Sequence, residues 1–379
     1  MPVDQLLKLK AELVNRYGGD AIMFAKDMPV RPPISSGTLA LDFATGIGGL
    51  PTDRVIEVAG ADGSGKTTLG LLAMQNFLDM QPTRGAIILD TEHKLTSDWC
   101  EQLIGPERMA RVMLAWPDHM EQGADIYREA VSSGLVSFVL FDSIGGSPTM
   151  RVTEKSAEKG DVGGNSLAVS RFARMAGTYS QKYNCLTFGV NQIRADMDGF
   201  HRHMTPGGYA WKHHCIMRIQ LKRGQYKVHE EVDGETLQVG YNIVAKIIKN
   251  QLAAPGRQAW WWFYSIPTEK YGFGIDTVDE IIRLSVLTKV VEQKAAMYYH
   301  PDLPDGRVRG LPKLTEIIKA HEPLRITIVK QTMDVLNTHR GDGGFVSAVA
   351  PITDPDAEID ESVFKRENIF DREPSVDDS

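Results

Sequence analysis

The residues best suited to chemistry lie in one glycine-rich stretch near residue 60. That stretch reads Gly60-Ala61-Asp62-Gly63-Ser64-Gly65-Lys66-Thr67-Thr68 and fits the pattern G-x-x-x-x-G-K-[ST]. In this pattern backbone N–H groups at a helix N-terminus face a phosphate, the lysine reaches the terminal phosphate oxygens, and the threonine hydroxyl ligates Mg²⁺. A glycine-rich turn outside that setting binds nothing, so the flanking segments decide whether this stretch is a phosphate-binding loop.

The flanking segments supply the strand and the helix that the pattern requires. Residues 54–59 are apolar enough for a short buried strand, and residues 68–78 have the composition of an apolar-rich helix. Strand, turn and helix together predict a phosphate-binding loop that takes a nucleoside triphosphate with Mg²⁺.

Three further apolar segments alternate with amphipathic helices and predict the rest of a sheet. Strands are expected at 85–93, 136–143 and 185–192, with helices at 122–134 and 166–182 among the connections. Such alternation indicates an α/β fold whose mostly parallel sheet is covered by helices on both faces. Ligands bind beyond the carboxyl ends of the strands in these sheets, so the polar residues there should form one site.

Those polar residues suit phosphate chemistry. Asp142, supported by Ser143, is the expected acidic partner of the loop and would hold Mg²⁺ together with Thr67. Glu92 could orient and deprotonate the water that attacks a γ-phosphate, and Gln192 could sense that phosphate. Without the phosphate-binding loop, Glu92 would be taken for an ordinary surface carboxylate.

Two long loops leave the same strand ends and predict a nucleic-acid surface. The loop at 145–165 is rich in lysine and glycine, and the loop at 193–208 carries Arg194, Phe200 and Arg202. Basic and aromatic side chains beside exposed glycine N–H groups suit single-stranded nucleic acid. The alternative is a lid over the nucleotide.

The charge of the chain is unevenly distributed. The 379 residues carry a net charge of −7, yet residues 354–379 alone hold ten acidic against three basic side chains. Residues 151–223 hold twelve basic against five acidic side chains. This pattern is typical of a protein that binds a polyanion and whose own acidic tail competes for the basic surface. The alternative is an acidic tail that only solvates the chain and has no partner.

The composition is that of a globular protein of the reducing cytosol. Hydrophobic residues make up 42% and charged residues 24% of the chain, and no apolar run is long enough to cross a membrane. The N-terminus lacks the features of a signal peptide. Three scattered cysteines argue against a disulfide framework, so a cytoplasmic location is expected.

The order of the segments predicts four parts. Residues 1–33 would form a helix at 4–17 with a linker, and that helix must dock on its own chain or on a neighbouring subunit to bury its apolar face. Residues 34–269 are assigned to the core, residues 270–340 to a small α/β lobe, and residues 341–379 to an acidic, disordered tail. Added core strands are expected at 236–249 and 258–266, and lobe helices at 277–285, 289–297, 313–320 and 326–338.

Several motifs together resemble the RecA recombinases over nearly the whole chain. They include Ser64-Gly65-Lys66-Thr67-Thr68, Leu89-Asp90-Thr91-Glu92-His93, Phe141-Asp142-Ser143, Asn191-Gln192-Ile193-Arg194, Gly207-Gly208 and Lys249-Asn250-Gln251-Leu252-Ala253-Ala254-Pro255. The resemblance implies a DNA-dependent ATPase that forms helical filaments on single-stranded DNA and exchanges strands with a homologous duplex in recombination and repair. It also implies a homo-oligomer with ATP and Mg²⁺ at the subunit interface.

The resemblance further implies roles for individual residues. Glu92 matches the catalytic base, Gln192 the γ-phosphate switch, and Lys249 a cation that reaches the ATP of a neighbouring subunit. Trp99 matches an aromatic that stacks on adenine, and Pro255 another nucleotide-binding position. The matched DNA contacts are Ser170, Arg174, Gly207 and Gly208, and the loop with Arg194, Phe200 and Arg202 resembles the second DNA loop.

The chain also departs from that family. Gln251 stands where the family usually has a second lysine, so weaker charge neutralisation at the γ-phosphate and slower hydrolysis are expected. His213 replaces a phenylalanine of bacterial relatives, which indicates a divergent member, bacterial or phage-encoded. The alternatives are a ring-shaped motor or regulatory ATPase without strand exchange, and a small-molecule kinase, for which the sequence offers no arginine-rich lid.

Overall fold

The computed structural model describes residues 3–18, 22–150, 164–193, 207–232 and 234–338. Most of the two predicted loops and the whole acidic tail lie outside these residues. The chain forms two compact units, Met1–Pro32 and Pro33–Ser379. None of the described helices is long and apolar enough to cross a membrane, and none of the three cysteines forms a disulfide.

The first unit contains the helix that the leucine spacing predicts. Helix α1 (Val3–Tyr17) has no buried residue, and a short 3₁₀ turn follows at Ala25–Asp27. Lys10 lies 3.6 Å from the carboxylate of Asp27 and 4.6 Å above the ring of Phe24.

The second unit is built on a sheet that has nine strands within the described residues. Its strands are β1 (Val55–Gly60), β2 (Gly85–Asp90), β3 (Val112–Ala115), β4 (Val136–Asp142), β5 (Leu186–Gln192), β6 (Met217–Val232), β7 (Glu235–Asn250), β8 (Gln258–Tyr264) and β9 (Gly274–Ile275). They lie in the order β3-β2-β4-β5-β1-β6-β7-β8-β9. The pairs from β3 to β6 are parallel and those from β6 to β9 antiparallel, which confirms the mostly parallel α/β fold. The sequence patterns did not anticipate β3 and β6.

Helices cover both faces of this sheet, as the apolar strands require. They are α2 (Leu39–Ala44), α3 (Lys66–Met80), α4 (Ser97–Ile104), α5 (Pro106–Met109), α6 (Met120–Ser132), α7 (Gly164–Tyr183) and α8 (Gly208–His214). On one face Phe77 of α3 packs edge-on against Phe138 at 5.0 Å, and on the other Phe172 of α7 packs against Phe141 at 5.0 Å. Because successive strand residues point to opposite faces, β4 contributes to both hydrophobic cores.

Helix α3 packs against the sheet through its glycine, Gly70. A Cβ atom on Gly70 would lie 2.7 Å from a methyl carbon of Leu140, so a larger residue there would force the helix or the leucine to shift. The close packing holds the helix N-terminus, and with it the glycine-rich loop, at the end of β1.

The C-terminal segment forms a small α/β lobe. Its elements are α9 (Thr277–Leu287), β10 (Glu292–Lys294), β11 (Met297–Tyr299), β12 (Arg307–Arg309), α10 (Leu311–Ala320) and α11 (Glu322–Thr338). The helix predicted at 289–297 is wrong, because this segment forms the antiparallel pair β10–β11. Lys289 and Ala295 adopt positive φ angles of 60° and 50°, which interrupt a helix, and the pairing buries Val291 and Tyr298 in the lobe core.

Candidate active site

The glycine-rich loop has the backbone that its sequence pattern requires. Gly63 and Gly65 have φ angles of 72° and 90°, and α3 begins immediately afterwards at Lys66. The Lys66 ammonium donates to the carbonyl oxygens of Gly60 and Ala61 at 3.0 and 2.7 Å. Burial lowers the pKa of Lys66, while the nearby carboxylate of Asp62 acts in the opposite direction. The site thus presents a buried ammonium beside the free N–H groups of a helix N-terminus.

Thr67 and Asp142 bring two oxygen atoms together beside this loop. The Thr67 hydroxyl donates to Asp142 Oδ2 at 2.5 Å, and only 9% of Asp142 is exposed. Burial raises the pKa of Asp142 to about 6, against the hydrogen bond from Thr67, which favours the ionised carboxylate. A hydroxyl and a carboxylate are hard oxygen ligands of the kind that Mg²⁺ takes together with substrate phosphates, so this donor set fits the metal.

Glu92 is the centre of a hydrogen-bond network just beyond β2. Its Oε1 accepts from the Ser143 hydroxyl at 2.5 Å and from the Gln192 amide nitrogen at 3.1 Å. Its Oε2 forms an ion pair with Lys94. Burial acts to raise the pKa of Glu92, but the hydrogen bonds from Lys94 and Ser143 outweigh this effect. The pKa of Glu92 therefore lies below its ordinary value. Glu92 is therefore held as an oriented carboxylate.

This network brings together the strand ends that the sequence analysis assigned to one site. Glu92 follows β2, Ser143 follows β4, and Gln192 ends β5, while Thr67 joins Asp142 at the end of β4. Ser143, whose position in the sequence predicts only support for Asp142, thus donates to Glu92.

A close backbone approach supports the Ser143 hydroxyl. The Gly146 N–H donates to Ser143 Oγ at 3.1 Å. A Cβ atom on Gly146 would lie 2.6 Å from that oxygen and 3.1 Å from Glu92 Oε1. Sequence patterns do not reveal the contacts of Gly146 and Lys94, because these contacts depend on chain packing. The local indication of the Lys94–Glu92 ion pair is a lysine two residues after the glutamate.

A second, fully buried carboxylate fixes the end of β5. Glu57 of β1 accepts from the Asn191 amide at 2.8 Å and from the Trp211 indole at 3.1 Å, and it forms an ion pair with Arg218. These contacts tie β1, β5, α8 and β6 to one another. They hold Asn191, the residue before Gln192, and sequence patterns alone do not predict this role for Glu57.

Lys249 lies outside this network. Its ammonium donates to the carbonyl oxygens of Lys212 and His213 at 2.9 Å each, where a cation complements the C-terminus of α8. Burial lowers the pKa of Lys249, and the nearby Arg218 adds to the effect.

The residue matched to adenine stacking, Trp99, and the further nucleotide-binding position, Pro255, lie elsewhere. Trp99 of α4 is half-buried, and its ring meets Phe273 edge-on at 5.8 Å. Pro255 is exposed in the connection between β7 and β8. The described contacts join neither residue to the glycine-rich loop.

The residues matched to DNA contacts gather on α7 and α8, as far as the structure describes them. Arg174 is exposed on α7, and the Ser170 hydroxyl donates to the Ser166 carbonyl at 2.6 Å. Gly207 and Gly208 have φ angles of 101° and 70° and lead into α8. A Cβ atom on Gly208 would lie 3.7 Å from Ser166 Oγ, so the glycines lie against the first turns of α7. Arg194, Phe200 and Arg202 lie outside the described residues.

The fold and the site define a nucleotide-binding ATPase with a phosphate-binding loop on a mostly parallel sheet. The RecA N-terminal domain family matches residues 6–265 of this chain. Protein RecA of Bordetella petrii is 31% identical over 361 residues, covering 92% of this chain and 93% of that protein. Protein RecA of Paracoccus denitrificans is 32% identical over 312 residues (79% and 81%), and that of Thermotoga petrophila 30% identical over 309 residues (80% and 82%).

The chain therefore belongs to the RecA family of ATP-dependent DNA recombinases. Its fold and the activity class expected from the resemblance are confirmed: it is a DNA-dependent ATPase of DNA recombination and repair.

Proposed function

We propose that this chain binds ATP with Mg²⁺, assembles as a helical filament on single-stranded DNA, and exchanges strands with a homologous duplex in the cytoplasm. The observation that carries the proposal is the network at the strand ends, in which Ser143 and Gln192 both donate to Glu92 Oε1. Ser143 lies two residues before the loop at 145–165, and Gln192 lies directly before the loop at 193–208. A change in either loop would therefore reach the carboxylate directly.

In this proposal the loop from Gly60 to Thr68 binds the triphosphate. The N–H groups of the loop and the first turn of α3 face the phosphates, and Lys66 exchanges its two carbonyl partners for phosphate oxygens. Thr67 and Asp142 hold Mg²⁺, which supplies charge neutralisation for the phosphates when bound. Trp99 stacks on the adenine, and Pro255 supplies a further nucleotide contact.

Glu92 acts as the general base of hydrolysis. It orients a water molecule whose oxygen attacks the γ-phosphorus, and it accepts the proton that this water loses. The bond from the γ-phosphorus to the β–γ bridging oxygen breaks, and ADP leaves with that electron pair. Lys66 stabilises the charge that develops on the phosphate oxygens. Gln192, which already donates to Glu92, is placed to respond to the loss of the γ-phosphate.

The proposed filament would join one subunit to the next through α1 and Lys249. Helix α1 has no buried residue, and Leu6, Leu7 and Leu9 are each about half exposed, so its apolar face suits a neighbouring copy. Lys249 would leave the carbonyl oxygens at the end of α8 to reach the ATP of a neighbouring subunit. ATP would then be bound at the subunit interface.

The DNA contacts in this proposal come from α7, the start of α8 and the two loops. Arg174 and Ser170 offer a cation and a hydroxyl, and the N–H groups of Gly207 and Gly208 offer donors for phosphate oxygens. Arg194, Phe200 and Arg202 would add charge and a stacking ring. An aromatic ring beside cations suits single-stranded DNA, because its unpaired bases are open to stacking and its phosphates attract the cations.

The test is the rate of ATP hydrolysis with and without single-stranded DNA for the wild type and Glu92→Gln. We expect DNA to stimulate the wild type and the variant to lose about 100-fold or more in kcat, since a general base contributes about 10² to 10⁴. Glu101→Gln, which changes an exposed carboxylate of α4, is the matched control and should behave as wild type. Turnover that ignores DNA, or that survives in Glu92→Gln, would contradict the proposal.

A further inference from the structure

Glu92 carries an ion pair that the proposed reaction does not use. The Lys94 ammonium contacts Glu92 Oε2, two residues along the same segment. The Lys94 side chain is 65% exposed and that of Glu92 only 15%. A flexible, solvated cation thus closes the outer side of an otherwise shielded carboxylate.

The two oxygens of Glu92 have different partners. Oε1 accepts from Ser143 and Gln192, which are neutral donors held at the ends of β4 and β5. Oε2 accepts from Lys94, whose side chain is mostly exposed to solvent. Two donors take up the lone pairs of Oε1, so a proton from water would go to Oε2, where Lys94 already uses one of the two lone pairs. Lys94 is the partner most easily released.

The charged groups around Glu92 come from three segments. Lys94 lies in its own segment, Lys66 faces it from α3, and Asp142 faces it from β4. The charge of Lys94 also acts on Lys66 and is felt by Asp62 and Asp142. Lys94 therefore lies within electrostatic reach of the phosphate-binding groups while its contact is with Glu92.

We propose that Lys94 is a positioning residue that restrains Glu92 and so limits ATP hydrolysis while DNA is absent. The inference rests on the proposed role of Glu92 as the base. The ion pair occupies Oε2 and makes the carboxylate a weaker base, since a lower pKa reduces its drive to take a proton. DNA bound to the loops at 145–165 and 193–208 would act through Ser143 and Gln192, which donate to the opposite oxygen, so Lys94 affects mainly the DNA-free rate.

The experiment compares Lys94→Met with Lys94→Arg in the full chain. Methionine keeps much of the length of the side chain without its charge, whereas arginine keeps the charge. Lys270→Met is the matched control, because Lys270 is also an exposed lysine in an ion pair, 3.2 Å from Glu230 and 66% exposed. Glu92→Gln and the double variant with Lys94→Met complete the set. The readouts are kcat and KM for ATP without and with single-stranded DNA, from pH 5 to pH 9.

We expect Lys94→Met to raise the DNA-free kcat at pH 8 by roughly two- to five-fold, the rate equivalent of one exposed ion pair. KM should stay unchanged and DNA stimulation should become smaller. The acid limb of the kcat profile should move to higher pH, because Glu92 loses the cation that keeps it ionised. Lys94→Arg and Lys270→Met should match the wild type, and the double variant should be as inactive as Glu92→Gln.

The outcomes that would overturn the inference are distinct from failure of the proposed function. A lower kcat or a higher KM in Lys94→Met would assign Lys94 to the nucleotide instead, and an unchanged rate and pH profile would leave it without the restraining role. If Glu92→Gln is inactive, either result contradicts the role of Lys94 and leaves Glu92 as the proposed base. Full turnover in Glu92→Gln would remove the proposed base and this inference with it.

Discussion

At the scale of single residues, the contacts of Glu92 join parts of the chain that are far apart in sequence. Ser143 and Gln192, which donate to it, are 51 and 100 residues further along. The parallel sheet makes this possible because it gathers the carboxyl ends of its strands at one edge. The network holds the carboxylate in a fixed orientation, which general-base catalysis requires.

The packing around Ser143 makes Gly146 a sensitive position. In Gly146→Ala the new Cβ would meet Ser143 Oγ at 2.6 Å, closer than real Cβ atoms come to an oxygen, so the hydroxyl must shift away from Glu92. We expect kcat for ATP hydrolysis to fall about 10-fold or more while KM changes little, because the change affects the orientation of Glu92, the proposed base. The measurement is steady-state hydrolysis with single-stranded DNA.

The control for this prediction is Gly272→Ala, because a Cβ atom there meets nothing within 4 Å. That variant should hydrolyse ATP as the wild type does. A Gly146→Ala protein with wild-type kcat would show that the Ser143 contact does not matter for turnover.

The candidate site was partly visible in the sequence. Lys66 and Thr67 belong to a contiguous motif, and Asp142, Glu92 and Gln192 stand at the ends of apolar segments, so residue type and position carried the information. Ser143 donates to Glu92 rather than only supporting Asp142, and this choice depends on side-chain geometry. The pairing of Lys94 with Glu92 and the approach of Gly146 depend on three-dimensional packing in the same way.

At the scale of elements, one buried carboxylate connects α9 with the start of α2. Glu280 is fully buried and accepts from the Thr38 hydroxyl at 2.5 Å. It also accepts from the N–H groups of Leu39 and Ala40 at 3.2 Å each. It therefore satisfies donors at a helix N-terminus that would otherwise lie buried without a partner.

Glu280 should make stability depend on pH. Burial raises its pKa to about 7 from an ordinary value of 4.5, although the three donors favour the ionised form. The folded protein then binds the proton more tightly than the unfolded chain, so the contribution of Glu280 to stability is fully present below pH 4.5 and is lost as the pH rises towards 7. The glutamine of Glu280→Gln does not titrate, so this variant loses the pH dependence of stability that Glu280 causes. It also loses one of the two acceptor oxygens.

The measurement is the free energy of unfolding in urea at pH 5 and pH 8. Glu280→Gln should be less stable than the wild type, and its deficit should be larger at pH 5 by about 2 to 3 kcal/mol, the equivalent of about two pKa units. Glu316→Gln changes an exposed carboxylate of α10 and should follow the wild type at both values. A deficit that is equal at both pH values would contradict the raised pKa of Glu280.

Elements with strong, regular patterns were predicted well, and the others were not. The buried strands β1, β2, β4 and β5 read as apolar runs, and most of the helices carry apolar stripes. Strand β3 has four residues, with Met113 and Leu114 exposed at the sheet edge, so it gives little signal. Strand β6 mixes charged with apolar residues, and 289–297 is helical in composition although its pairing with neighbours makes it β.

At the scale of the whole molecule, the proposed filament would bring together residues that one chain leaves apart. Helix α1 exposes its leucines, Lys249 caps α8, and the described contacts do not join Trp99 or Pro255 to the glycine-rich loop. The division of the chain into core, lobe and tail at residues 270 and 341 stays a prediction, as does competition between the acidic tail and DNA. A second subunit can supply what the single chain lacks, and sequence patterns within one chain cannot display such a contact.

The most direct test of the account is strand exchange between circular single-stranded DNA and a linear duplex, with ATP and Mg²⁺. We predict joint molecules and exchanged product when the duplex is homologous, none when it is unrelated in sequence, and none for Lys66→Ala, whose loop lacks the phosphate-binding ammonium. Negative-stain images of the active mixture should show helical filaments. Closed rings that hydrolyse ATP without DNA, with no exchanged product from the homologous duplex, would contradict the account.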